Sequence, residues 1–451
     1  MNNVVRGTRR AIRDFLALTL ALSSVFITTS PVQATPCTSL CVVGSLGSTS
    51  ELGSVALRSD TIIAVASPSR VVLYAADTRA VKLTITARVG ASFEGIEPSG
   101  NRRYLFIYTA RTILKVDTST LVATTVSPSN FTQLWPGDSY TRGNIYDLAS
   151  NADGSRLYIA TFDGSATTLL HLDTATRSIV RTQITDYPAI WGGAKVLLNS
   201  RNNALYVAPT DPDGETLVAF DVSTVSAPVV EGYTMALNSM IVLSDGRLAL
   251  LVSSGFGSFL YLYNADTLDL ETEVPVLGAS GDNTWISGLV QAPNGTLYST
   301  LPTADYSNSS LVTLNRSTGR VSTIRSVGNL SYLLDRDQGG TVLFASGSGP
   351  LRAIMLGSST PKPTRISAVA TAANTYKVAW NLMNPNTSLV IRDYVVRYTR
   401  TSNGAVTTFA GTVTTARYST ITGIRYPGRV QVKAVYSNGT SSAWSDSVVL
   451  P

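Results

Sequence analysis

Three of the five tryptophans stand in short polar segments of one kind: Trp135 in NFTQLWPGDSYTRG, Trp191 in DYPAIWGGAK and Trp285 in GDNTWISG. Phe131, Tyr140, Tyr187, Tyr233 and Tyr332 fall in comparable places, and Asp163, Asp211, Asp213, Glu215 and Asp305 fall in a second set of polar turns. Flat aromatic rings beside acids and amides suit sugars, because the C–H faces of a pyranose stack on the ring while its hydroxyls bond to polar neighbours. The same three tryptophans also fit wedges between adjacent sheets, each preceding a glycine at a similar point. Both readings stand on the sequence.

Other reactive side chains are sparse. Asp211-Pro212-Asp213-Gly214-Glu215 offers clustered hard oxygens to calcium, but Asp, Pro and Gly are turn formers in their own right and the spacing of an EF-hand loop is missing. The single histidine, His171, lies mid-strand in LLHLD. A histidine base needs a positioned nucleophile or orienting partner, and none is legible, so His171 reads as structural. One histidine also excludes His-rich zinc and iron sites. Asp147, Asp163 and Asp211 are candidates for the paired carboxylates of glycoside hydrolysis, a pattern any acidic sheet protein offers by chance. No catalytic residue is assigned, and neither metal nor cofactor is expected.

These residues must be held by many short strands. From Ser54 to Gly357 one phrase recurs seven times: an apolar strand, a Gly or Asn turn, a Leu-Tyr-like strand, then a strand ending in Asp-Thr or an equivalent. The clearest copy runs from Asn144 to Ile184. That period predicts an all-β, seven-bladed β-propeller over residues 41–357. The Asp-Thr endings read as turn chemistry. The last repeat lacks a fourth strand, and Cys41–Leu46 is its expected donor, closing the ring with strands from both ends of the segment. In such a ring, the connections carrying the tryptophans and the second-to-third-strand loops open on the same face.

Residues 1–34 carry Arg6, Arg9, Arg10 and Arg13, an apolar stretch from Phe15 to Thr28, and Val32-Gln33-Ala34 before Thr35. This predicts a cleaved export signal, and an apolar stretch too short for a permanent membrane span. Cys37 and Cys41, the only cysteines, would then meet an oxidising compartment and form a small disulfide. Charge is divided unevenly: residues 35–361 hold 21 basic and 26 acidic side chains, and residues 362–451 hold ten basic ones against Asp393 and Asp446. An exported basic module is attracted to anionic wall polymer or lipid headgroups rather than nucleic acid. Residues 358–363 read as a linker by composition.

Residues 364–451 resemble a fibronectin type III domain, an immunoglobulin-like β-sandwich, with Trp380 and Tyr398 at its core aromatic positions. Gly428 replaces the corner tyrosine, so the strand it opens is expected to be loosely pinned. No Arg-Gly-Asp tripeptide is present. Within the repeat, Leu205-Tyr206-Val207-Ala208 and Leu170-His171-Leu172-Asp173-Thr174-Ala175-Thr176 resemble the YVTN/YncE-like secreted bacterial β-propellers. That group includes binding proteins, lactonase-like enzymes and lyases, so the resemblance implies fold more narrowly than function. The Trp-Asp ending, the kelch double glycine and the sialidase box are missing.

The resulting expectation is an exported monomer without catalysis, secreted and wall-associated. Its loop face would bind a glycan, envelope polymer or protein, an adhesive role, and its basic domain would tether it. The alternative is an extracellular carbohydrate-active hydrolase or lyase with an accessory domain, an analogy from architecture.

Overall fold

The computed structural model describes residues 40–45, 53–57, 61–128, 144–162, 167–183, 194–209, 216–222, 228–233, 236–303, 308–328, 330–336, 342–347, 352–356, 360–384, 389–409 and 417–450. All of them belong to one compact unit, Thr38–Pro451. Strands and turns account for the described secondary structure, and no described helix is long and apolar enough to cross a membrane.

Among the described residues before 357 the strands form seven four-stranded antiparallel sheets. Sheet 5 shows the plan, with Ala236–Val242, Leu248–Ser254, Gly257–Tyr263 and Leu270–Pro275 hydrogen-bonded in chain order. The first strands of sheets 1 to 7 are Gly53–Leu57, Phe93–Pro98, Asn144–Ser150, Ala194–Asn199, Ala236–Val242, Ser287–Gln291 and Leu330–Arg336. Each touches the first strand of the next sheet, and Leu330–Arg336 returns to Gly53–Leu57, so the sheets close into a ring with these strands innermost. Closure of sheet 7 uses the N-terminal strand: Leu40–Ser45 pairs antiparallel with Arg352–Leu356. The donor expected from the sequence thus supplies the fourth strand.

The near-continuous apolar strands follow from this arrangement. In Ala204–Pro209, Leu205 and Val207 enter a core shared with sheet 3, whereas Tyr206 and Ala208 enter one shared with sheet 5. Both faces of the strand are buried, so the usual polar alternation disappears. Comparable clusters fill the seams between sheets 1 and 2, 2 and 3, 5 and 6, and 6 and 7.

The repeated Asp or Asn ending also has a physical cause. Asp117, Asp173, Asn264 and Asn315 each open the turn from third to fourth strand, and their carbonyls accept the N–H of the fifth residue at 2.8 to 2.9 Å. Their side-chain oxygens accept further N–H groups inside the turn, such as Ala175 and Thr176 on Asp173 at 3.0 and 2.9 Å. The fifth residue is left-handed: φ is 59° at Leu121 and Arg177, 58° at Leu268 and 67° at Gly319. These side chains are consumed by the turn. Sheet 1 departs from the rule, because its turn runs from Ala75 to Arg79 and sets Asp77 in the middle.

Beyond residue 360, a three-stranded sheet of Thr364–Ala372, Thr375–Asn381 and Tyr418–Thr422 faces a four-stranded sheet of Val406–Phe409, Ile391–Arg400, Gly428–Tyr436 and Val448–Leu450. Trp380, Tyr394, Tyr398, Val432 and Tyr436 fill the core between them. The loose pinning expected at Gly428 is overturned. Tyr398 Oη donates to the Tyr426 carbonyl at 2.6 Å, and its ring fills the space that any side chain at residue 428 would need. The expected linker is tied at its end as well, since Tyr436 Oη donates to the Pro361 carbonyl at 2.6 Å.

Candidate functional site

Two regions on the ring bring functional side chains together. The first is the face carrying the connections between successive sheets. Trp285 lies between Leu270–Pro275 and Ser287–Gln291, in a segment folded back on itself by Thr284 N–H donating to Val276 O at 2.9 Å. The indole Nε1–H donates to the carbonyl of Ser254, in the second-to-third-strand turn of sheet 5, at 3.3 Å. The two classes of loop therefore meet on one face. That turn carries Phe256, 81% exposed, while Trp285 is 45% exposed. Trp285 is not a wedge buried in a seam; it and Phe256 are large exposed aromatics on two loops joined by that hydrogen bond, and Asp282 and Asn283, just before Trp285 in the chain, are exposed as well.

Of the other sequence candidates, Tyr233 closes the strand Pro228–Tyr233. Trp135, Tyr140, Asp163, Tyr187, Trp191, Asp211, Asp213 and Asp305 lie outside the described residues, as do the calcium candidate 211–215 and Cys37. Cys41 lies in the closing strand opposite Met355. Tyr332 sits within an innermost strand rather than in a connection. His171 is half-buried, stacked on Tyr158 with ring centroids 5.2 Å apart. Arg156 lies 3.0 Å from its Nε2; a guanidinium can only donate, so Nε2 accepts. Burial and Arg156 hold the imidazole below its usual range. It braces the sheet.

The second region is the central channel, about 590 Å³ in volume. The inner strands that wall it carry β-bulges, among them Phe93/Gly95, Ile145/Asp147 and Leu237/Ser239, and a bulge re-aims the next side chain. Asp147 accepts the Val196 N–H of sheet 4 at 3.0 Å, and Ser239 accepts the Leu289 N–H of sheet 6 at 3.2 Å. Lys195 lies 3.8 Å from Asp147. Tyr108, from the second strand of sheet 2, crosses over Gly95 into the neighbourhood of Asp147. At one end Arg102 donates to Asp335 at 3.0 and 3.3 Å and to the Ala56 carbonyl at 2.8 Å, joining sheets 2, 7 and 1 across the closure.

Glu97 projects among these groups. It is surrounded by protein, yet part of its surface still faces the channel. Burial, then Asp147, pushes its carboxyl well above the usual range, against the pull of Arg102 and Lys195. Tyr108 is raised likewise, by burial and then by Asp147, Glu97 and Glu94. Asp147 is legible in the sequence as a candidate; Glu97, Tyr108 and Phe256 are not. Gly95 was the available signal: a glycine inside a strand marks a close approach, here of the Tyr108 hydroxyl.

The C-terminal sandwich bears a third set of residues. On the outward side of its four-stranded sheet, Arg397 lies 4.1 Å and Lys433 5.2 Å from the Trp444 ring, and Arg400 lies 3.3 Å from that of Tyr426. Among the described residues no carboxylate pairs with Arg397, Arg400, Arg429 or Lys433.

No family model and no curated protein matches this chain. Solved structures do. The β-propeller domain of Cps50 (Swd1) from Myceliophteria thermophila aligns with a TM-score of 0.51 at 13% identity, covering 70% of this chain and 99% of its own. A chain of the mitotic checkpoint complex aligns with a TM-score of 0.52 at 13% identity, covering 73% and 95%. At such identity the likeness shows the fold alone: the ring of sheets is a β-propeller.

Proposed function

We propose that this chain is an exported, noncatalytic binding protein, a seven-bladed β-propeller followed by a fibronectin type III domain. The propeller's loop face takes a glycan or a surface protein, and the basic C-terminal domain holds the molecule on anionic envelope polymer. The observation that carries this reading is the Phe256–Trp285 patch, two large aromatic rings left in solvent on neighbouring loops of one face. Aromatic anchors of this kind dominate recognition surfaces. The Arg397–Trp444–Lys433 stack supports the tether, since its cations lack carboxylate partners among the described residues. A protein partner gains support from the neighbour that stands in the mitotic checkpoint complex.

A second reading, a carbohydrate-active hydrolase or lyase, is favoured by Glu97 and Asp147 sharing one channel, one of them with a carboxyl held toward its protonated form. A glycan array probed with the purified protein, with and without calcium, separates the two when every hit is re-examined by mass spectrometry. Unchanged glycan is expected. Cleaved glycan would make the protein an enzyme, and an array without hits would leave a protein as the partner.

A further inference from the structure

We propose that the central channel is a binding site for a small organic cation, an alkylamine or similar, seated against the carboxyls of Glu97 and Asp147. This site is separate from the Phe256–Trp285 face and does not rest on the function proposed above.

Charge balance comes first. Among the described residues the channel wall holds four acids, Glu94, Glu97, Asp147 and Asp335, against two cations, Arg102 and Lys195. Arg102 is committed to Asp335 and to the Ala56 carbonyl. Lys195 leans toward Asp147 from 3.8 Å and is 47% exposed. Asp147 is further satisfied by the Val196 N–H. Glu97 differs from all of these, since it has neither a hydrogen bond nor an ion pair with any described residue while it lines the channel. An enclosed acid without a partner is the group that a cation or a donor from outside would satisfy.

The kind of cation follows from the rest of the lining. No three His, Cys, Asp or Glu side chains among the described residues converge as a metal would require. Ile96, Leu197, Met240, Ile241 and Leu289 add apolar surface to a largely polar lining, and that mixture suits an amine with methylenes better than a hydrated ion. A volume of about 590 Å³ falls in the range of small-molecule sites. An anion is disfavoured, because it would add to the repulsion that Asp147 and Asp335 already exert on Glu97.

Binding is therefore linked to protons. Glu97 faces Asp147, Tyr108, Tyr146 and Lys195 along the channel and Arg102 with Asp335 at its end. In the empty channel burial and the neighbouring Asp147 raise its pKa and so favour the protonated form. An arriving cation favours the ionised form, so affinity rises with pH through that range and a proton is released.

The test is isothermal titration calorimetry on the purified protein, with putrescine as probe and 1,4-butanediol as its uncharged isostere. Runs at pH 5.5, 6.5 and 7.5, in pairs of buffers differing in ionisation heat, count the proton. We expect putrescine to bind, butanediol not to bind, affinity to rise with pH, and proton release at the lower pH values. Glu97→Gln should weaken putrescine roughly tenfold or more, the loss expected for one charged hydrogen bond, and should abolish the proton release. Trp285→Ala should bind putrescine as the parent does. Absence of putrescine binding at every pH, equal binding of the diol, or unchanged affinity in a Glu97→Gln protein with a parental circular-dichroism melt would overturn the proposal. The pH profile and proton count of the unmutated protein decide the matter even if Glu97→Gln does not fold.

Discussion

Asp77 accepts the guanidinium of Arg417, 340 residues along the chain, through two contacts of 2.6 and 3.1 Å. Asp77 is the turn residue of sheet 1, displaced to the middle of Ala75–Arg79. It still accepts the Thr78 N–H at 2.8 Å, but it is not consumed by the turn as Asp117 and Asp173 are. Its side chain is 6% exposed, and the pair is buttressed by Asn384 N–H donating to the Ala76 carbonyl at 2.8 Å. One irregular repeat thus provides the dock for the C-terminal sandwich.

Arg417→Ala should cost about 3 kcal/mol at this junction, because it leaves a buried carboxylate without its partner. Asp77→Ala should cost a similar amount, and the double variant little more than either alone. Limited proteolysis and calorimetry check this: the parent should melt with its parts coupled, and either variant should show a separate sandwich transition. Independent, additive losses would mean that the pair carries no coupling.

Glu97 should make stability pH-dependent. Its folded pKa is raised above the unfolded value of roughly 4.3. The folded state therefore binds more protons between the two values, and stability is lost as pH rises through the folded pKa. Glu97→Gln should flatten that slope, leaving the melting temperature nearly unchanged at pH 4 and raising it at pH 8 by the equivalent of about 1 kcal/mol. Thermal melts across pH 4 to 8 settle the sign.

Gly95 should tolerate no side chain. Gly95→Ala drives a methyl into the Tyr108 ring and hydroxyl, an overpacking expected to cost about 1–3 kcal/mol. Tyr108→Leu in the same chain should recover part of the loss, measured by urea unfolding. Equal loss in the double variant would trace the cost to the backbone instead.

Local patterns were legible wherever the cause was local. The Asp or Asn at 117, 173, 264 and 315 announces a turn because it makes that turn's own hydrogen bonds. The gap in sheet 7 pointed to Leu40–Ser45 because an open sheet edge needs a partner. Trp285 was visible for its residue type, but its neighbour Phe256 reads as one more apolar residue until the fold leaves it outside. The channel was illegible for a different reason. Glu97, Asp147, Lys195 and Asp335 come from four different sheets, and only ring closure sets them against one another. Asp77, followed by Thr78, is one more Asp-Thr ending in the sequence, since a two-residue displacement matters only once Arg417 arrives.

The Phe256–Trp285 patch should matter for binding and hardly at all for stability. Phe256 is 81% exposed, so Phe256→Ala should shift unfolding by no more than about 0.5 kcal/mol. Trp285→Ala removes one hydrogen bond to the Ser254 carbonyl and should cost about 1 kcal/mol. If the patch anchors the partner, each change should weaken that partner's binding roughly tenfold, the scale of a recognition anchor. Binding of any array hit or captured surface protein, measured by surface plasmon resonance, should fall through faster dissociation, since interface changes act mostly on the off-rate. Variants that keep full affinity while melting like the parent would move the binding surface elsewhere on the ring. A loss of affinity matched by unfolding would instead return Trp285 to the structural role that the sequence left open.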